Sequence, residues 1–361
     1  MSRPLARRPT LLPALRRLWR DPHRLQLGTD PSRAVLLELT DPGCARLLDL
    51  LDGSRTEAGV LREAARQGVA NAETNAMLAA LRQAGFLIDA NALCPTELSE
   101  TARRRLDGEV AALALRGSGH GAPARALRRR LAAQVLVTGA SQLAVPIACA
   151  LASAGVGHLN PDVSGITRLS DAAPAGLLPT DVHRPRGVAA AEAVRRVAPD
   201  VDLAPLRRGT ATFAVLVGFA APAALTALAY STRRLAHLTV TVRDGTVVVG
   251  PLVRPGVTPC LNCLDLHRLD RDPAWPRIAA QLHTAPDTAE PLAATTALAA
   301  AAYAAEEVLT HIDGGDPRTL GATVEISGAG SAARRRWSNH PRCGCLRRAR
   351  PRRTQPRGTG S

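Results

Sequence analysis

The fold is decided by the stretch Gln134-Val-Leu-Val-Thr-Gly-Ala-Ser-Gln-Leu-Ala144, which runs from a strand through a tight turn into a helix. The first five residues form a short run rich in β-branched side chains, which is typical of a buried strand. Gly139-Ala-Ser141 is the turn, and the apolar run Leu143–Ala154 predicts a helix. A strand, a turn and a helix in this order begin a parallel β–α–β unit.

The same alternation of strand and helix continues after this stretch. It is followed by a hairpin, because the residues of two apolar strands flank an Asp-Gly turn. These patterns predict a doubly wound α/β domain with a parallel sheet and an antiparallel extension. The predicted elements are a strand at Val156–Asn160, a helix at Gly187–Val197, a strand at Phe213–Val217, a helix at Pro222–Arg234, the hairpin Leu238–Val249 and an Ala-rich helix at Pro291–Leu309.

Four of the seven cysteines fall in two tight pairs, Cys260-x-x-Cys263 and Cys343-x-Cys345. Two such pairs can place four thiolates around one tetrahedral Zn²⁺ ion. A site with four thiolates has no open position for water, so we predict a structural zinc that fastens the C-terminal segment to the sheet. Two alternatives stay open: His340 replaces a cysteine of the second pair, or the four thiols are free.

The turn after the first strand is poor in glycine. A nucleotide site in this fold uses several glycines there, since they let the backbone approach a phosphate at the helix N-terminus. Only Gly139 remains of a G-x-G-x-x-G pattern, and Ser141 and Ala144 occupy the other two positions. Ser141 keeps an N–H group and a hydroxyl, but it does not freely adopt a positive φ. A weakened phosphate loop and a plain strand-to-helix turn both remain open.

From residue 135 to residue 345 the chain resembles the ThiF/MoeB/HesA family of ubiquitin-activating-enzyme-like adenylyltransferases. The resemblance is carried by Ala154-Gly-Val-Gly157, by Pro161-Asp162, by Thr258-Pro-Cys-Leu-Asn-Cys263 and by Cys343-Gly-Cys345. Family members use ATP to adenylate a C-terminal carboxylate, usually that of a ubiquitin-like sulfur carrier. The resemblance therefore implies a Rossmann-like ThiF domain over residues 131–346 with a structural zinc.

The resemblance also assigns nucleotide-binding roles to particular positions. Gly139 and Ser141 fall on the phosphate loop, and Asp162 falls where the family holds the ribose with an acid. Arg186 matches a phosphate-contacting lysine, which an arginine replaces in charge but not in geometry. Arg243 falls in the hairpin, where such proteins often carry an arginine.

Two departures from the family pattern argue against efficient adenylation. The family's Mg²⁺-binding aspartate falls in Val217–Pro222, which contains no acid, and its phosphate-binding arginine falls in Leu169–Pro174, which contains no arginine. No cysteine lies between Cys263 and Cys343 to serve thiol transfer. We therefore predict a degenerate member with zinc as its cofactor, with ATP and Mg²⁺ binding in doubt and with no catalytic residue assigned.

Residues 1–95 form a separate unit with a winged-helix outline. Two short strands, Arg24–Gly28 and Ala34–Leu39, are followed by three helices and by a closing strand at Phe86–Ile88. The segments Leu47–Thr56 and Leu81–Leu87 are similar to motifs of the PqqD-related peptide-recognition domains of ribosomal-peptide maturation systems.

The second resemblance implies partners. Such domains bind an extended leader peptide as an added strand at the edge of their sheet, against a helix. Here that assigns the peptide to the strand Ala34–Leu39 and to the third helix, at about residues 72–84. Relatives with both domains deliver peptides to a modifying enzyme such as a cyclodehydratase, and they are often homodimers.

The remaining segments are less regular. Residues 96–130 connect the two domains, with a predicted strand at Ala111–Arg116 and a short basic helix at Arg125–Ala133. Residues 347–361 read as a disordered basic tail. No apolar run is long enough for a membrane span, and the N-terminus lacks the apolar core of a secretory signal. Together with the odd number of cysteines, these features predict a cytoplasmic protein.

The net charge of +15 raises the question of a nucleic-acid partner. Every basic residue is arginine, so a compositional bias together with the tail accounts for much of the charge. A DNA-reading helix presents several polar side chains to the bases, and the third helix offers only Asn75, Arg82 and Gln83. We therefore predict a leader-peptide-binding scaffold and do not expect nucleic acid. The alternatives are an active ATP-dependent adenylyltransferase for a sulfur carrier and a DNA-binding regulator.

Overall fold

The computed structural model divides the chain into two compact units, Met1–Arg128 and Arg129–Ser361. The predicted basic tail lies, beyond Arg348, outside the described residues. The structure describes residues 8–116, 123–172, 175–207, 209–218, 222–282, 290–328 and 331–348.

The N-terminal unit contains two small antiparallel sheets. One has three strands in the order β2-β3-β4, and the other pairs β1 with β5. The three strands predicted from the sequence correspond to β3, β4 and β5, whereas β1 and β2 were not predicted. The strands are β1 (Pro9–Leu11), β2 (Arg17–Asp21), β3 (Arg24–Leu27), β4 (Val35–Glu38) and β5 (Leu87–Asp89).

The helices of this unit begin and end at residues that the sequence marks. Thr56 caps the first α-helix by accepting a hydrogen bond from the N–H of Gly59, and the second ends at Gly85, whose φ is 75°. The helices are a 3₁₀ helix at Pro42–Leu50 and α1 (Glu57–Arg66), α2 (Asn71–Ala84), α3 (Ala90–Leu93), α4 (Glu100–Arg105), α5 (Asp107–Leu115) and α6 (Pro123–Ala132).

One apolar core of the N-terminal unit joins the strands β3 and β4 to the 3₁₀ helix and to the helices α1 and α2. Leu25 and Leu27 project into it from β3, and Leu78 and Leu81 project into it from α2. Their spacings of two and three residues place each pair on one face of its strand or helix.

The strand predicted at Ala111–Arg116 is wrong. These residues lie in and directly after α5, where Val110 and Ala114 are buried one helical turn apart. The run is apolar but does not alternate with polar residues, and alanine is the strongest helix former. The short basic helix predicted next corresponds to α6.

The C-terminal unit is built on a seven-stranded mixed sheet. Its order is β12-β11-β10-β9-β8-β6-β7, in which β6 to β9 are parallel and β10 to β12 are antiparallel. The strands are β6 (Gln134–Gly139), β7 (His158–Asp162), β8 (Phe213–Val217), β9 (Ala236–Arg243), β10 (Thr246–Val253), β11 (Ala322–Ile326) and β12 (Ala332–Arg336).

Helices cover both faces of this sheet. The helices α7, α8 and α12 share one continuous core with the sheet, while Tyr230 of α9 packs in a separate cluster with Leu216 and Leu235. The predicted α/β class, with a parallel half and an antiparallel extension, is therefore confirmed. The helices are α7 (Ala144–Ser153), α8 (Arg186–Val197), α9 (Ala223–Thr232), α10 (Leu261–Arg271), α11 (Trp275–Leu282), α12 (Ala294–Ile312) and α13 (Cys345–Arg348).

The strand order reverses at β6. The chain passes from β6 to β7 on one side and then returns to β8 on the other side, so the carboxyl ends of the three strands meet at one edge. In open α/β sheets, ligands bind in the crevice at such a switch point. The turn Gly139–Ser141 lies at this crevice.

Among the described residues, none of the helices has both the length and the apolar character needed to cross a membrane.

Candidate functional site

The turn after β6 is tight because β8 approaches it closely. Gly139 has a φ of 135°, and a Cβ atom at this position would lie 1.7 Å from the carbonyl oxygen of Val217. No side chain fits there, and a φ of this value is open mainly to glycine. The sheet alone therefore requires Gly139, whether or not a phosphate binds.

The donors at the start of α7 are bonded to a carboxylate of the chain itself. Ser141 is buried, and its Oγ donates a hydrogen bond of 2.7 Å to Oε2 of Glu290. The N–H of Gln142 donates to the same oxygen at 3.0 Å, and the N–H of Leu143 donates to Ser141 Oγ at 3.2 Å. A phosphate in a nucleotide loop would need these same groups.

Arg186, the first residue of α8, contacts the same turn, but its charge is paired with a carboxylate. Its Nη1 donates to the carbonyl oxygen of Ala140 at 2.7 Å, and its Nη2 bonds to Oδ2 of Asp171 at 2.6 Å. Both side chains are close to nine-tenths buried. The guanidinium therefore holds the turn to the segment that contains Asp171.

The other two predicted nucleotide residues lie in different places. Asp162 is the exposed last residue of β7, opposite Thr138 of β6, and so lies at the switch-point edge with Gly139. Arg243 ends β9 and pairs at 3.0 Å with Glu325 of β11, on the antiparallel side of the sheet. The structure thus brings Gly139, Ser141, Asp162 and Arg186 to one edge, and it does not bring Arg243 there.

The segment Val217–Pro222, in which the sequence predicts that a Mg²⁺-binding acid is missing, falls partly outside the described residues. Val217 and Gly218 are described, and residues 219–221 are not. The sequence Phe219-Ala-Ala221 supplies no carboxylate in any conformation.

The four cysteines predicted to bind metal come together. Cys260 precedes α10 and Cys263 lies in its first turn, while Cys343 and Cys345 come from the chain at the start of α13. The Sγ atoms are separated by 3.9 Å for the first pair, 3.6 Å between Cys260 and Cys343, and 3.6 Å between Cys263 and Cys345. All four ligand atoms lie within 4.8 Å of one another.

These separations fit zinc. A Zn–S bond of about 2.3 Å places the sulfurs of a regular tetrahedron about 3.8 Å apart. Two amide groups also point at the sulfurs, since Asn262 Nδ2 donates to Cys343 at 3.4 Å and Asn339 Nδ2 donates to Cys345 at 3.8 Å. Such donors stabilise thiolates that bind a metal.

The electrostatics of the cluster also favour a cation. The pKa of Cys263 is lowered to about 4 because the Cys260 thiol donates a hydrogen bond to its sulfur. Burial, together with the neighbouring Cys263 sulfur, raises the pKa of Cys345 to about 11. Four converging sulfurs therefore cannot all ionise alone, and a divalent cation would remove that conflict.

His340 stands beside the cluster. Its ring is buried, and its Nε2 bonds at 2.8 Å to Oδ2 of Asp270. Because the group within ligand distance consists of the four cysteines, a substitute ligand is not needed.

The N-terminal unit presents an open strand edge. The N–H of Leu39 donates to the carbonyl oxygen of His23. The backbone groups of residues 35, 37 and 39 therefore face β3, and those of residues 36 and 38 point to the open edge. The N–H of Thr40, on the same open edge, donates to Oε1 of Glu73 in α2 at 3.3 Å. Leu36 is 42% exposed, and a shallow groove beside it is lined by Arg20, Gln26, Thr29, Pro31 and Ala34–Leu36.

Sequence reasoning missed two acids, Glu290, which bonds to the first turn, and Asp171, which pairs with Arg186. Glu290 lies 149 residues from Ser141, and Asp171 lies 15 residues from Arg186. No local motif connects residues at these separations.

No protein-family model matches the chain, and no curated protein does so either. The fold is similar to that of MccB from E. coli with AMPCPP and SeMet MccA, with a TM-score of 0.63, 14% identity, and coverage of 93% of this chain and 99% of that chain. The microcin C7 biosynthetic enzyme MccB in complex with N-formylated MccA gives a TM-score of 0.63 at 14% identity, with coverage of 94% and 99%.

The heterocyclase TruD is a further structural neighbour. It gives a TM-score of 0.57 at 16% identity, and the match covers 95% of this chain and 43% of the TruD chain. At these identities the likeness shows the fold alone. The chain therefore has an MccB-like α/β fold.

Proposed function

We propose that this protein is a degenerate ThiF-like protein that binds a ribosomally made precursor peptide and presents it to a modifying enzyme in the cytoplasm. The N-terminal unit acts as a winged-helix peptide reader. The C-terminal unit is a zinc-stapled scaffold whose nucleotide site has lost its function.

The observation that carries this proposal is the open edge of β4. The backbone groups of Leu36 and Glu38 point away from β3, and the exposed Leu36 side chain lies beside them. An extended peptide can add to such an edge as a further strand, with its side chains held in neighbouring pockets. The helix α2 contacts β4 and supplies the other side of the binding region.

The structural neighbours support a polypeptide ligand. One MccB structure contains N-formylated MccA and another contains SeMet MccA, and N-formylation and selenomethionine are features of polypeptides. TruD is described as a heterocyclase. The DNA-binding alternative gains no support, because Arg82 of α2 pairs with Glu57.

The residues at the switch point do not fit a magnesium–ATP site. The position of the metal-binding aspartate holds no acid, and Arg186 is paired with Asp171. The donors at the start of α7 are bonded to Glu290. The four cysteines do fit zinc, which would fasten the segment before α13 to the start of α10.

Leu36→Pro tests the peptide site with a change confined to the open edge. Position 36 donates no hydrogen bond to β3, so proline is tolerated there but blocks an added strand. We expect affinity for a fluorescently labelled candidate precursor peptide, measured by fluorescence anisotropy, to fall about tenfold or more.

Arg17→Pro is the matched control, because residue 17 faces outward on β2, at the opposite edge of the sheet. It should leave peptide affinity unchanged. Equal affinity in the wild type and in Leu36→Pro would refute binding along β4.

Active adenylation is a second candidate, favoured by the exposed Asp162 at the switch-point edge. It predicts ATP–pyrophosphate exchange in the presence of a carrier protein, abolished by Arg186→Ala. Exchange of that kind would replace the scaffold proposal.

A further inference from the structure

We infer that Glu290 is a built-in substitute for a nucleotide phosphate, so that the chain closes its own anion site at the first turn. This rests on the proposed loss of the ATP site and explains how the site can lose its ligand without leaving its donors unpaired.

The first step is the demand for an anion at the start of α7. The N–H groups of Gln142 and Leu143 lie in the turn directly before α7 and have no partner within the helix, and the helix dipole favours a negative charge at this end. Here one carboxylate oxygen accepts from Gln142 N–H and from the Ser141 hydroxyl, which in turn accepts from Leu143 N–H. These groups cannot serve Glu290 and a phosphate at the same time.

The second step is the position of Glu290 in the fold. It stands directly before Pro291 and Leu292, and Leu292 packs against the main core of the C-terminal unit. The helix α12 follows at Ala294 and packs against α7. The carboxylate therefore joins the approach to α12 with the start of α7, and it stabilises the fold as well as filling the turn.

The third step is that the nearby guanidinium of Arg186 is also paired with a carboxylate of the chain. Arg186 bonds to the turn through Ala140 and pairs with Asp171, with both side chains largely buried. A phosphate at the turn would meet two carboxylates, Glu290 and Asp171, and like charges at short range repel. Both elements that bind phosphate in this kind of fold are thus occupied by acids of the chain.

Removing the carboxylate should turn the first turn into a working anion site. In Glu290→Ala the donors of Ser141 and Gln142 lose their partner, so the melting temperature should fall by roughly 3–8 °C. Millimolar inorganic phosphate should restore part of that loss, relative to chloride at the same ionic strength, because it can take the vacant place. Wild-type protein should show no shift with phosphate or with magnesium–ATP.

Asp316→Ala is the matched control, since it removes a carboxylate of the same unit that is 87% exposed. It should change neither the melting temperature nor the response to phosphate. Glu290→Gln serves if the alanine variant does not fold, because the amide oxygen can still accept both hydrogen bonds. It should retain most of the stability and show a weaker response to phosphate.

Two results would overturn the inference. One is a Glu290→Ala protein as stable as the wild type and indifferent to phosphate. The other is magnesium–ATP binding by the wild type that disappears in Glu290→Ala, which would make Glu290 a metal ligand. Peptide affinity should be the same in all these variants, so failure here leaves the peptide proposal standing, and failure of peptide binding leaves this one standing.

Discussion

The cysteine cluster and the first turn after β6 lie in the same unit, and the sequence predicts a ligand site at each. At the cluster, four sulfurs converge, and the amide groups of Asn262 and Asn339 supply further hydrogen-bond donors. At the first turn, the donors converge on a carboxylate of the chain, and the nearby arginine pairs with a second. A set of converging sulfurs or hydrogen-bond donors therefore indicates a site for an external ligand only where the chain itself does not supply the complementary charge.

The largest expected effect is the loss of the metal. Cys263→Ser should abolish zinc binding and lower the free energy of unfolding of the C-terminal unit by on the order of 5 kcal/mol, because metal binding adds to the stability of the folded state. Metal analysis and urea unfolding measure the two effects. Cys94→Ser, in the N-terminal unit, should retain the zinc. If the unfolding curve of Cys263→Ser equalled that of the wild type, the cysteine cluster, like the first turn, would not depend on an external ligand for its stability.

A smaller expected effect concerns the sheet that carries both regions. The pH dependence of its unfolding tests the stability of the sheet apart from that of the metal site. Burial lowers the pKa of His237 in β9 to about 4, below its ordinary value of 6.5. The neutral ring is therefore favoured in the folded state, and its contribution, up to roughly 3 kcal/mol, is complete above pH 6.5 and is lost as the pH falls toward 4.

His237→Gln removes this titration and should weaken the pH dependence of unfolding between pH 6.5 and 4. The rest of that dependence should come from His311 of α12, because burial lowers its pKa to about 4 as well. His23→Gln, at an exposed histidine of the N-terminal unit, is the control and should not alter the curve of the C-terminal unit. An unaltered pH profile in His237→Gln would contradict the predicted contribution of His237.

The smallest effect tests whether Arg186 serves the fold or a ligand. Arg186→Ala should cost about 2 kcal/mol of unfolding free energy, because it leaves the buried carboxylate of Asp171 unpaired. Adding Asp171→Asn should recover part of that cost in urea unfolding. Arg243→Ala, at an exposed pair, should cost less than about 0.5 kcal/mol. An arginine kept for phosphate would instead leave stability unchanged when removed.

Most elements of the C-terminal unit could be predicted, because strands and helices follow local patterns of apolar residues. The strands β6 and β8, the hairpin β9–β10 and the helix α12 lie where their patterns indicate. The strand predicted at Ala111–Arg116 is wrong, because a short apolar run fits a strand and a helix equally well. The short strands β1 and β2 were missed, because strands of three to five residues, mostly buried in β1 and mostly exposed in β2, leave little alternation to detect.

The sequence by itself determined the alternating α/β order, the two tight cysteine pairs and the absence of an acid in Val217–Pro222. Each of these depends on residue type at short spacing along the chain. Only the tertiary structure decided that Gly139 serves the approach of β8 and that Glu290 and Asp171 neutralise the first turn. Hydrogen bonds and ion pairs act over a few ångströms in space, so partners far apart in sequence become visible only once the chain is folded.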